Sequence, residues 1–142
     1  AATGTASVEA WLKAAELYRL AGKPEPQRAC LAAAADSDAG VLTYAANTGL
    51  AALDLEQGRP DEAIARLQRM MADEDDALAQ SAALDLGLAL ESLGRTDEAN
   101  RAYTEFATKW PASKHLEQVR ARQTRLAVAP PPAPAAPAGA GG

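Results

Sequence analysis

A chain of 142 residues amounts to one domain, long enough for a core of its own and too short for two. A single cysteine, Cys30, excludes an internal disulfide or a thiolate metal cage, and no run approaches the ~18 apolar residues of a membrane span. The net charge of -5 is uneven: residues 1–100 hold 8 Lys or Arg against 17 Asp or Glu, a net of -9, whereas 101–142 hold 6 against 2, a net of +4, so nucleic acid suits the first part poorly and the second offers only a short basic helix.

The start, AATGTAS over residues 1–7, has no Met and no charged-then-apolar signal pattern, and reads as an extension from a processed chain or a fragment of a longer one. Helical spacing then predicts helices near 7–21 and 25–35, with Gly22 in the turn between them and GKPEPQ as an irregular turn. A second pair is expected near 40–57 and 60–72, with Gly58 ending the first helix and Pro60 in the first turn of the next, where a missing N–H costs nothing. A third pair is expected near 77–93 and 96–109, with Gly94 in the turn and Thr96 as N-cap. A last helix near 113–127, with Ser113 as N-cap and Leu116, Val119 and Leu126 on about one face, closes the series. Residues 128–142 read as a solvated tail, because their last stretch, APPPAPAAPAGAGG, has no periodicity and no large apolar side chain.

Gly22, Gly58 and Gly94 are 36 residues apart, and their surroundings follow the same spacing. Three copies of one helix-turn-helix unit result. Ala63 and Ala99 are expected to let each second helix approach the first, against Ala51 and Gly87. Gly87 in mid-helix costs about 1 kcal/mol of propensity against Ala, a cost that close helix contact would offset. The segment LGLALESLGRTDEANRAYTEFATKWP resembles a tetratricopeptide repeat at Leu86-Gly87, Leu90, Gly94, Ala99, Tyr103, Phe106 and Pro111. The second copy matches at Leu50, Ala51, Gly58, Ala63, Leu67 and Met70, but carries Asp54 where a large apolar residue is usual and Asp75 in place of the closing Pro. The first matches at Trp11, Ala15, Tyr18, Gly22, Leu31 and Ala34, with Gln27 where Ala is expected. Tyr-x-x-Phe followed by Trp-Pro-x-Ser also resembles repeat ends in envelope-associated bacterial proteins of the Tol-Pal and outer-membrane assembly type. The resemblance implies an all-α right-handed superhelix, an α-solenoid of three repeats over residues 8–127 with a capping helix.

No residue group points to catalysis or a cofactor. His115 stands without partners of metal or acid-base spacing, and Cys30 lies among alanines with no cation near it in sequence to activate it. The DEDD run at 73–76 lacks the alternating ligands and central Gly of a calcium loop, and Met70 and Met71 read as core fillers. The resemblance instead implies a non-catalytic scaffold binding a protein or peptide on the concave face lined by the first helix of each unit. The groove positions are Leu12, Glu16 and Arg19 in the first copy, Thr48, Ala52 and Leu55 in the second, and Leu84, Leu88 and Glu91 in the third. The family's carboxylate clamp needs a set of Lys, Asn and Arg that these positions lack, so that reading is dropped. Small and leucine side chains edged by acids suit a partner with an apolar segment and some positive charge. Burial of Leu55, Leu84 and Leu88 by adjacent repeats is the competing reading of these leucines. Alternatives for the whole chain are a docking module of a multidomain enzyme or a structural spacer, and self-association is left open. The Ala-led start and the Trp-Pro-x-Ser likeness favour a bacterial envelope location, the periplasm, over the cytoplasm.

Overall fold

The computed structural model describes residues 4–128. The expected Pro/Ala/Gly-rich tail lies almost wholly outside them. Seven helices follow one another: α1 (Thr5–Leu20), α2 (Pro24–Ala35), α3 (Val41–Glu56), α4 (Pro60–Met70), α5 (Asp76–Ser92), α6 (Thr96–Lys109) and α7 (Leu116–Val128). Each packs chiefly on its neighbours in sequence, and α1 also reaches α3. The result is a solenoid-like stack of three helical pairs closed by α7, as the repeat spacing predicts.

The turn inside each pair is the same device used three times. Gly22, Gly58 and Gly94 have φ of 68°, 71° and 72°, a region in which a side chain would be strained. The amide after each glycine closes back on the helix: Lys23 N–H donates to the Tyr18 carbonyl, Arg59 to Asp54 and Arg95 to Leu90. These bonds satisfy carbonyls that the helix end leaves open.

Local details depart from expectation at several points. Thr96 is not an N-cap; it is the first helical residue, and the preceding Arg95 makes no capping bond. Arg95 instead pairs with Glu98 at 2.5 Å and with Asp61 of the preceding pair at 3.0 Å, tying two repeats together through their turns. Ser113 does not cap the last helix, which begins three residues later. Its hydroxyl donates to Gln80 on α5 at 2.6 Å and accepts from the His115 amide, so the α6–α7 connection is clasped to α5 before the helix starts. The α1 helix begins at Thr5, inside the expected extension, and the prolines of GKPEPQ sit in the first turn of α2. Asp75, in place of the closing Pro, caps α5 by accepting from Ala77 and Leu78 amides at 2.9 and 3.3 Å.

The main core runs from α3 to α7 and includes Ile64, Leu67, Leu86, Leu90, Tyr103 and Phe106. Trp110 closes it beside Phe106, with ring centroids 5.1 Å apart, and donates from its indole N–H to Asp76 at 2.7 Å. Two smaller clusters hold α1 and α2 to α3, one containing Ala15, Cys30, Leu31, Leu50 and Leu53, the other Val8, Ala34 and Ala46.

Tyr103 of α6 lies nearest to Gly87. A methyl group at Gly87 would lie 2.2 Å from Tyr103 Cε1, so the tyrosine ring occupies the space that the missing side chain leaves. The Tyr103 hydroxyl reaches Glu91 on α5, fixing the ring from its far end.

Asp54 is fully buried. Its carboxylate lies 2.7 Å from an Arg28 terminal nitrogen on α2 and 3.6 Å from Arg66 Nε on α4. The Arg28 contact is close but not aligned as a directed hydrogen bond, the Arg66 contact is beyond hydrogen-bond distance, and Arg28 Nε and Arg66 Nε are buried without one, so charge rather than hydrogen bonding holds the triad. The residues 36 positions further on from Arg28 and Asp54 are Ile64 and Leu90, both in the main core. One repeat junction is ionic where the next is apolar.

Candidate functional site

The first helices of the first two pairs enclose a cleft of about 230 Å³. On one wall α1 presents Leu12, Glu16 and Arg19, three residues spaced so that they share a helix face. On the other, Ala45, Gly49 and Ala52 place small groups along one face of α3, with Glu56 at its end. Between the walls, Gln27 and Leu31 of α2 form the base. A methyl at Gly49 would come within 2.9 Å of Leu31 Cδ2, so the α3 glycine lets Leu31 rise to the cleft base.

The electrostatics are those of an apolar trough with charged edges. Arg19 grips Glu16 through two hydrogen bonds, at 2.8 and 2.6 Å. Those hydrogen bonds, with the charge of Arg19, hold the Glu16 carboxyl below the usual carboxylate range against an opposing effect of desolvation. The pair is exposed and contributes little to stability. With Arg19 engaged by Glu16, the exposed Glu56 carboxylate dominates the far rim.

Leu12, Glu16, Arg19 and Ala52 from the expected groove therefore meet in one cleft. The others lie elsewhere. Thr48 turns its hydroxyl to the Ala45 carbonyl of its own helix at 2.8 Å. Leu55 is half-buried against the main core. Leu84 is a core residue at 9% exposure, and Leu88 is packed against the same cluster, which favours the competing burial reading for these leucines. Glu91 is engaged internally, by the Tyr103 hydroxyl and by Arg122 of α7 at 3.3 Å. The physical reason is the capping helix: α7 brings Arg122 to α5 and buries Val119, leaving the third first-helix less of a free face than the first two.

Gln27, Ala45 and Gly49 are not among the expected groove positions. Their signals are present in the sequence: Gln27 is a departure from the alanine of copies two and three, and Ala45, Gly49 and Ala52 form a small-residue pattern at helical spacing.

Among the described residues no group of three or more His, Cys, Asp or Glu side chains could hold a metal ion, and no helix is long and apolar enough to cross a membrane. Cys30 is buried in the α1–α3 cluster, and His115 lies in the α6–α7 connection beside Ser113.

A family model described as Tetratricopeptide repeat matches residues 81–113. The match spans most of α5 and all of α6, the pair in which Gly87 receives Tyr103. It supports a TPR-like repeat fold. No curated protein and no solved structure matches the chain.

Proposed function

We propose that this chain is a non-catalytic scaffold that takes up a short segment of a protein or peptide in the cleft between α1 and α3. The observation that carries the reading is the union of an apolar, small-residue wall on α3 with an acidic rim. A segment bearing an apolar side chain next to a Lys or Arg would bury the first against the small-residue wall and set the second near Glu56. The sequence likeness to envelope-associated repeats adds a setting, a larger bacterial assembly in the periplasm, which fractionation of cells carrying the native gene would test.

The binding reading is tested by fluorescence anisotropy with a library of short peptides that pair one large apolar residue with one cation. Binding in the micromolar range is expected for some members, and Ala52→Arg should weaken it at least roughly tenfold by filling the cleft from the α3 wall and repelling the cation. Leu88→Ser, outside the cleft, should leave it nearly unchanged. Absence of binding across the library, or retention of full affinity in Ala52→Arg, would refute the reading.

A further inference from the structure

The N-terminal half of α1 and the C-terminal end of α2 enclose a second cavity, of about 390 Å³, lined by Ser7, Val8, Trp11, Ala33, Asp36 and Ser37. It shares no lining residue with the cleft between α1 and α3. Trp11 is 44% exposed although it is the largest side chain of α1, and Asp36 is exposed at the C-cap of α2.

The cavity is electronegative for three reasons. The α2 helix ends without a basic residue in its last turn, whereas α1, α4, α6 and α7 carry one, so the partial negative charge of its end is unopposed. The amides of Asp36 and Ser37 close on the carbonyls of Ala32 and Ala34, which leaves the Ala33 carbonyl without an amide donor. Among the described residues the Asp36 carboxylate has no ion-pair partner, and the sequence holds no Lys or Arg between Arg28 and Arg59. The net charge of -9 over residues 1–100 adds a background that draws cations toward it.

The chain's other tryptophan shows what such surroundings hold. Lys109 Nζ stands 4.6 Å from the centroid of the Trp110 ring, whose indole N–H donates to Asp76 at 2.7 Å, so an aromatic face carries a cation with a carboxylate at its edge. Trp11 shares its cavity with a carboxylate, Asp36, and no Lys or Arg among the described residues lines that cavity. The pairing occurs once in the repeat: the equivalent positions hold Asn47 and Ala72 in the second copy and Ala83 and Thr108 in the third.

The kind of cation follows from its donors. An ammonium is a compact point charge that prefers its water, whereas a guanidinium is planar and less strongly hydrated. It can lie flat on the indole while its in-plane N–H groups reach the Asp36 carboxylate and the open Ala33 carbonyl. We propose that the cavity between α1 and α2 is a binding site for a guanidinium group, that of an arginine side chain on a protein partner.

The chain has two tryptophans, so proton–nitrogen correlation spectra should show two indole signals, which Trp11→Phe assigns. Titration with N-acetyl-arginine amide at constant ionic strength should move the Trp11 signal to saturation, with dissociation on the order of millimolar, and leave that of Trp110 in place. Asp36→Asn, at an exposed residue, should weaken binding at least roughly threefold with the melting temperature unchanged. Trp11→Leu, followed through the Ser37 amide, should weaken it by a similar factor. N-acetyl-citrulline amide, which keeps the shape without the charge, should not bind, and N-acetyl-lysine amide should bind at least roughly threefold more weakly. A Trp11 signal that moves linearly or not at all, an equal response to the citrulline derivative, full affinity in Asp36→Asn or Trp11→Leu, or a lysine derivative that binds as well would overturn the proposal. Free arginine binding at least roughly tenfold more tightly than the capped residue would overturn the assignment to a side chain of a protein. Ala52→Arg, which fills the peptide cleft, should leave the titration unchanged, so either site can fail its test without the other.

Discussion

Gly87→Ala sets two effects of opposite sign against each other. Alanine in mid-helix is favoured over glycine by about 1 kcal/mol, so by propensity alone the variant should be more stable. Against this, the new methyl would stand 2.2 Å from Tyr103 Cε1 and 2.8 Å from Cδ1 and Cζ, where carbon atoms prefer about 3.5–4.0 Å. The ring must retreat by more than an ångström, or α6 must move away from α5. Neither is easy, because Tyr103 is fully buried and its hydroxyl is bonded to Glu91. Overpacking of a filled core typically costs about 1–3 kcal/mol, and a rigid ring met this closely belongs at or above the upper end. The net expectation is a loss of about 2 kcal/mol, or a fall in melting temperature of about 8 °C for a domain of this size. Urea and thermal unfolding measure it. In a Tyr103→Leu background, where the ring is gone, the same Gly87→Ala change should become neutral or stabilising by up to about 1 kcal/mol. A Gly87→Ala protein more stable than the parent would refute the claim that the glycine exists to seat the tyrosine.

Asp54→Ala should cost about 3–5 kcal/mol in urea unfolding, because it leaves Arg28 and Arg66 half-buried without their counter-charge. The combined Arg28→Ile, Asp54→Leu and Arg66→Ala chain, which copies the residues found 36 positions later, should recover most of that loss. At acid pH, the Asp76 carboxyl is held below the usual aspartate range, first by the Trp110 indole donor and then by Gln80. A depressed folded pKa stabilises above the unfolded value and is lost as pH falls through the folded one. Trp110 fluorescence, read in a Trp11→Phe background, should therefore hold steady from neutral pH to about 4 and change only below it.

The helical pairs and their turns were legible because they rest on local chemistry. A glycine that ends a helix with positive φ needs only its own backbone, and three of them 36 residues apart state the repeat before any contact is known. Pro60 at a helix start and the apolar spacing around Leu86 and Leu90 are local in the same sense. What the tertiary structure alone decided depends on which helix covers which. Asp54 departs from the apolar pattern in sequence, and only the approach of Arg28 from 26 residues earlier and Arg66 from 12 later explains how a carboxylate comes to lie in a repeat junction. Gly87 could be read as a point of close approach, but not that the Tyr103 ring fills the space it leaves. The same limit separated Leu12 and Ala52, which line the cleft, from Leu84, which has the same amphipathic signature and is buried. Periodicity tells which side of a helix is apolar; when both sides are, only the placement of its neighbours determines which side stays in water.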